Sequence, residues 1–172
     1  MTSPTDQMQS IFAFGLRNQH AVENQAIELL ERQIGRLQNY PEMEDRLRLH
    51  LTETQDQARR IEDLLSQLGT SHSSLKDAAL SVMGNMMAIG HSAASDEILK
   101  NTMANFAFEN FEIASYRTLL TVAELSGHQA AIPVLRQSLA EETAMAEWIA
   151  DHIDGTVRTY VARSVAGETA GR

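Results

Sequence analysis

No cysteine occurs among the 172 residues. That absence removes disulfides, thiolate zinc sites, iron–sulfur clusters and thiol catalysis together. Basic charge is scarce: 14 Lys and Arg stand against 23 Asp and Glu, a formal net charge of −9. With no basic run, and no aromatic residues interleaved with basic ones, a nucleic-acid surface finds no support. Long apolar runs are missing too, so no segment approaches membrane-spanning length. The N-terminal MTSPTDQMQS lacks the basic-then-apolar order of a secretion signal. A cytoplasmic protein with neither nucleic acid nor membrane as partner is the expectation. No glycine-rich phosphate loop, dinucleotide fingerprint or Ser/His/Asp order appears either.

Proline and glycine, at three and nine residues, punctuate the chain sparsely, and the stretches between them favour helix. Pro41 breaks the first long run, Gly69 closes the second, Gly127 a later one and Gly155 the last. The spacing predicts long helices over about 8–39, 42–68, 96–126 and 128–155, with a shorter connecting helix over about 73–91. Two tight hairpins joined by a crossover of roughly 27 residues, enough to return the chain along the bundle, describe an all-α, ferritin-like four-helix bundle. Its extra shorter helix lies in the long crossover. The 172 residues read as a single ferritin-like domain, the bundle spanning about 8–155 and a flexible or partly helical tail following over about 156–172.

Projection at about 100° per residue puts several glutamates on apolar faces. Glu109 and Glu112 fall among Phe106, Ile113, Tyr116, Leu120 and Ala123; Glu142 among Leu135, Leu139, Met145, Ala146 and Ile149; Glu23 among Phe12, Leu16, Ala26, Ile27, Leu30 and Ile34. In the second helix the stripe runs through Leu47, His50, Thr54, Ile61, Leu64 and Leu68, with Glu53 at its edge. Glu23, Glu53, Glu109 and Glu142 all lie near helix midpoints, which antiparallel helices of similar length bring to one height. Bare carboxylates cannot cluster in a core without forcing protonation. A pair of divalent or trivalent metal ions removes that conflict, as in carboxylate bundles of iron or manganese. Two other arrangements stay open: solvated glutamates, or glutamates paired with Arg46, Arg59, Arg60 or Arg117.

Four segments carry a family resemblance: HAVENQAIELL, HLTETQDQARRIEDLLSQLG, FENFEIASYRTLLTVAELSG and LAEETAMAEWIADH. Together they resemble the YciE/YciF-type ferritin-like proteins of bacteria, whose corresponding segments read AE-plus-polar, HxxET…Q…R, EHxEIAxYxTL…A…LG and LxEE. The resemblance implies a ferritin-like fold, a homodimer, a stress-response association and a rubrerythrin-like site for two metal ions. Iron is the first choice of metal, with manganese or another divalent ion as the alternative. By motif, the implied ligands are Glu23, Glu53, Glu109, Glu112 and Glu142. Around them His20, His50, Gln57 and Tyr116 form a supporting set. Glu141, the first member of the EE pair, projects about 100° from Glu142 and is expected in solvent. The chain departs from the usual Glu-x-x-His of di-iron bundles, since Asp56 and Met145 stand at the histidine positions, and Asn110 stands where the family often has histidine. His50 and Gln57 are the residues that could fill the gap in the second helix.

The remaining histidines are assigned structural places: His72, His91 and His128 in solvent, and His152 too far along the last helix to share a metal with Glu142. Met83, Met86 and Met87 are expected to fill the core side of the connecting helix. The function expected is a ferritin-like di-iron carboxylate protein that reacts with oxygen or peroxide and takes electrons from an external donor. The alternative is a non-catalytic helical dimer with a structural metal or none, using Leu75, Ala79, Val82 and Met86 as its interface.

Overall fold

In a computed structural model of the chain, residues 3–70 and 94–172 are described. The expected connecting helix lies outside the described residues. So do His72, His91, Met83, Met87 and the interface candidates Leu75, Ala79, Val82 and Met86.

Four long helices carry the described structure: α1 (Pro4–Ile34), α2 (Pro41–Gln67), α3 (Glu97–Leu125) and α4 (Ile132–Val165). A single 3-10 turn, Gln129–Ala131, leads into α4. Local chemistry sets the helix starts. Asp6 N–H donates to the Ser3 hydroxyl and Ser3 N–H donates to the Asp6 carboxylate, a reciprocal cap that starts α1 earlier than residue 8. Prolines stand in the opening positions of α1, α2 and α4, where a missing N–H has no intrahelical partner to lose. Gly69 and Gly127, at φ 66° and 79°, adopt the left-handed conformation that ends α2 and α3.

Two expected helix ends are corrected. α1 stops at Ile34, short of 39, and α4 runs through Gly155 to Val165. Gly155 is exposed with open space around it. Its helical cost of about 1 kcal/mol is offset by Ile153 and Tyr160, which pack on the apolar cluster beneath. The segment beyond α4 docks back onto the bundle. Tyr40 donates its hydroxyl to the Ala170 carbonyl at 2.5 Å, Asn39 donates to the Thr169 and Arg172 carbonyls at 3.1 and 2.6 Å, and Ile98 N–H donates to the Gly171 carbonyl at 2.8 Å.

α1 packs along α2 and α3 along α4, and the two hairpins meet through α1–α3 and α2–α4. His20 reaches Glu62 at 2.8 Å and Arg17 bonds Thr70, so the first half of α1 lies beside the end of α2, as antiparallel packing requires. Two large apolar clusters, with a smaller one of Val22, Ala26 and Phe108, fill the interior of the described structure. One contains Phe12, Leu16, Ile61, Leu65, Tyr116, Leu119 and Leu135. The other contains Leu30, Ile34, Met43, Leu47, Ile98, Met145 and Ile149. Between them, at mid-height, every helix turns polar side chains inward: Gln19 and Glu23 from α1, His50, Thr54 and Gln57 from α2, Glu109 and Glu112 from α3, Ser138 and Glu142 from α4.

Candidate metal centre

Helical periodicity explains how a core layer becomes acidic. Residues three or four apart share a face, so the line Leu16–Gln19–Glu23–Ala26–Leu30 of α1 stays buried throughout. Glu109, Glu112, Tyr116 and Leu119 do the same on α3, and Leu135, Ser138, Glu142 and Met145 on α4. The resulting carboxylates are almost wholly buried: Glu23 and Glu142 are 0% exposed, Glu112 1% and Glu109 3%. One projected position is corrected. Phe106 is 37% exposed, and Phe108 takes the buried place beside Glu109.

His50 of α2 enters this acidic layer. Its Nε2 lies 3.2 Å from Glu109 Oε2 and 3.7 Å from Glu142 Oε2, and ligand atoms of His50, Glu109 and Glu142 all fall within 4.8 Å of one another. On the far side of the ring, His50 Nδ1 lies 3.0 Å from Glu53 Oε2, which also accepts from Arg46 at 3.0 Å. Glu23 is held by the Tyr116 hydroxyl and by Gln19 Nε2 at 2.8 Å. Gln19 Nε2 also reaches Glu112 Oε1 at 3.3 Å, while Ser115 donates to its amide oxygen. Glu23, Glu109, Glu112 and Glu142, named from sequence, are thus brought to one layer. Glu53 lies outside it, half-buried and turned toward Arg46.

Burial raises the Glu23 carboxyl to about 7, against the opposing hydrogen bonds from Tyr116 and Gln19. Burial, reinforced by neighbouring carboxylates, pushes Glu112 and Glu142 well above the usual range. At Glu109 burial also works against ionisation, but the His50 charge beside it prevails and holds the carboxyl low. His50 is the mirror case: burial disfavours its charge, and Glu109, Glu53 and Glu142 together raise it well above 6.5. Without a further cation, one imidazolium faces four carboxyls, and burial favours the protonated form of Glu23, Glu112 and Glu142.

The orphaned atoms test whether a metal fits. Glu23 Oε2 and both carboxyl oxygens of Glu142 are buried with no hydrogen-bond partner among the described residues, while Glu109 Oε2, equally buried, faces His50 Nε2 at 3.2 Å. Buried polar atoms are normally satisfied, and three unsatisfied oxygens beside the His50–Glu109 pair make a coherent set of donors. Oxygen-rich donors with one imidazole suit iron, manganese and similar ions. The residues fit such a group, with the imidazole supplied from α2 by His50.

Other sequence-based placements divide. Among the described residues, the ion pairs that reach the glutamates of the acidic layer come from His50; Arg46 takes Glu53, Arg59 takes Asp56 and Arg60 takes Glu141. The expectation of a solvated Glu141 is corrected. Arg60 grips it through two bonds of 2.7 and 2.9 Å and Gln57 donates at 3.0 Å, tying α2 to α4. His128, also expected in solvent, is half-buried and stacks on Phe12 with ring centroids 4.6 Å apart. His152 stacks on Trp148, and His20 faces Glu62 rather than the acidic layer. Gln19 is the residue that the sequence reading misses; its signal is its position one turn before Glu23 on the same buried stripe.

Comparison with known proteins agrees with this architecture. Residues 7–162 match the family profile DUF892, described as a domain of unknown function. Protein YciF of Escherichia coli strain K12 is 27% identical over 148 residues, covering 80% of this chain and 84% of that protein. Among solved structures, a protein from Xanthomonas campestris pv. campestris superimposes with a TM-score of 0.78 at 27% identity, over 91% of this chain and 98% of that one. The crystal structure of the E. coli stress protein YciF shares the fold, with a TM-score of 0.73 at 24% identity over 92% and 99% of the two chains.

Proposed function

The chain belongs to the DUF892 family, and on that premise we propose that its acidic layer holds two metal ions, iron in the first instance, that react with oxygen or peroxide. The observation that carries this proposal is the buried cluster of His50, Glu109 and Glu142, with oxygens of Glu23 and Glu142 that have no hydrogen-bond partner among the described residues. Glu23, His50, Glu109, Glu112 and Glu142 are the proposed ligands. When bound, a ferrous pair supplies two electrons, which with two protons and one hydrogen peroxide gives two waters.

The protein's own groups have separable tasks. Tyr116 and Gln19 orient Glu23. Glu53, fixed by Arg46, accepts from His50 Nδ1 and leaves Nε2 facing the carboxyls. The apolar clusters close the layer above and below. Metal uptake displaces the protons that burial holds on Glu23, Glu112 and Glu142, so affinity rises with pH. The chain lacks cysteine, so an external electron donor returns the centre to its reduced state.

A stress-related role, carried over from the E. coli stress protein YciF, belongs to the same proposal, as do a homodimer and a cytoplasmic setting. Among the described residues no helix is long and apolar enough to cross a membrane. Anaerobic Fe(II) loading followed by oxygen or peroxide tests the reaction. A rapid near-ultraviolet absorbance change, lost in Glu109→Ala, is expected; a tightly held ion that stays optically silent contradicts it and leaves a structural metal.

A further inference from the structure

The acidic layer is not sealed from the surface. A cavity of about 590 Å³ lies between α1 and α3, with exposed Glu31, Arg32 and Gly35 at its mouth and buried His50 and Glu109 at its inner end. Its size falls within the roughly 300–1,000 Å³ typical of small-molecule sites. Leu29, Leu30, Ala104, Ala107 and Phe108 line much of the wall.

Several polar groups nearer the mouth have partners. Gln33 and Asn105 exchange two hydrogen bonds of 2.9 and 2.8 Å, Arg36 holds Glu97 at 2.6 and 2.7 Å, and Arg32 Nε donates to the Glu28 carbonyl at 3.1 Å. The inner end differs. His50 Nε2 and Glu109 Oε2 face each other there at 3.2 Å, both buried. A molecule entering this cavity meets hydrocarbon along the walls and the buried His50–Glu109 pair at the bottom.

We propose that the cavity binds an amphipathic organic molecule, an apolar chain or ring ending in one anionic oxygen, with that oxygen at the metal centre. Carboxylates and phenolates share this chemistry. The inference rests on the metal reading above, because the Glu109 carboxylate at the inner end disfavours an anion until bound cations invert the local charge. Hydrocarbon burial against Leu29, Leu30 and Phe108 adds affinity in proportion to apolar area.

Titration calorimetry with decanoate and 4-butylphenol, using protein loaded with redox-inert Mn(II), tests the proposal. At least one of the two binds the loaded protein, which identifies the head group. Binding falls by about tenfold or more in metal-free protein, equivalent to ~1.4 kcal/mol. Ala104→Trp, which fills the cavity, abolishes binding while Mn(II) content stays at the wild-type level. If that variant does not fold, the contrast between loaded and metal-free wild type decides. Mn(II) uptake with no binding of either probe overturns this inference alone; absence of Mn(II) uptake overturns it and the metal reading together. Decylamine binding the loaded protein as tightly as decanoate also overturns it.

Discussion

His50 of α2 and Glu109 of α3 meet across the bundle at 3.2 Å, Nε2 to Oε2, while the other ring nitrogen of His50 lies 3.0 Å from Glu53. One imidazole thus joins a half-buried carboxylate, itself anchored by Arg46, to the acidic interior. An acceptor at Nδ1 fixes the tautomer and orients the ring, so that Nε2 is the atom offered to a metal.

That geometry separates two residues that the α2 sequence leaves hard to distinguish. His50→Ala removes a ligand and should nearly abolish binding. Glu53→Gln keeps the ligand and loosens its support, so metal affinity should fall by about 10–100-fold. Competition with a chelating dye measures both. Equal, near-complete loss in the two variants would make Glu53 a direct ligand.

The metal-free protein should lose stability as pH rises from about 5 to 7.5. Folded Glu23 titrates at about 7 against an ordinary 4.5, so the folded state binds more protons across that interval and stability falls with rising pH. Glu112 and Glu142 are shifted the same way. His50, raised above 6.5, gives its full contribution below that value and loses it as pH climbs through its folded pKa. Glu109 and Glu53 are lowered, so their contribution is lost only as pH falls below the usual carboxyl range. Thermal unfolding with chelator at the two pH values should differ by on the order of a few kcal/mol. Saturating Mn(II) should remove or reverse the trend; a metal-free protein more stable at pH 7.5 would contradict the protonated layer.

Docking of the C-terminal segment gives a prediction independent of metal. A Cβ on Gly171 would stand 2.5 Å from the Ser95 carbonyl oxygen, where backbone cannot yield cheaply. Gly171→Ala should destabilise by about 1–3 kcal/mol and speed exchange of the Ile98 amide, which donates to the Gly171 carbonyl. Metal content should not change. Wild-type stability and exchange in that variant would show that the segment contributes nothing to the fold.

Sequence carries much of this arrangement and loses part of it for identifiable reasons. Apolar spacing and the glycines at 69 and 127 mark the ends of α2 and α3, because those glycines stop helices by adopting positive φ. The buried places of Glu23, Glu109, Glu112 and Glu142 follow from period alone, since each sits mid-stripe. His50 also lies on its stripe, but one projected angle cannot tell a group that enters the layer from one that supports it; contact with Glu109 depends on how α2 is rotated against α3. Gly155 reads as a stop, yet an exposed glycine costs a helix little when Ile153 and Tyr160 pack beside it. Glu141 shows the converse. Its position off the stripe points to water, and only the approach of α2 brings Arg60 to it.

The most direct measurement is elemental analysis of protein purified without added metal, alongside a correctly folded Glu109→Ala/Glu142→Ala variant. Wild type is predicted to retain about two iron or manganese ions per chain, and the variant almost none. Equal metal content in both proteins, or no uptake by wild type even after anaerobic loading, would contradict a metal centre built on these carboxylates.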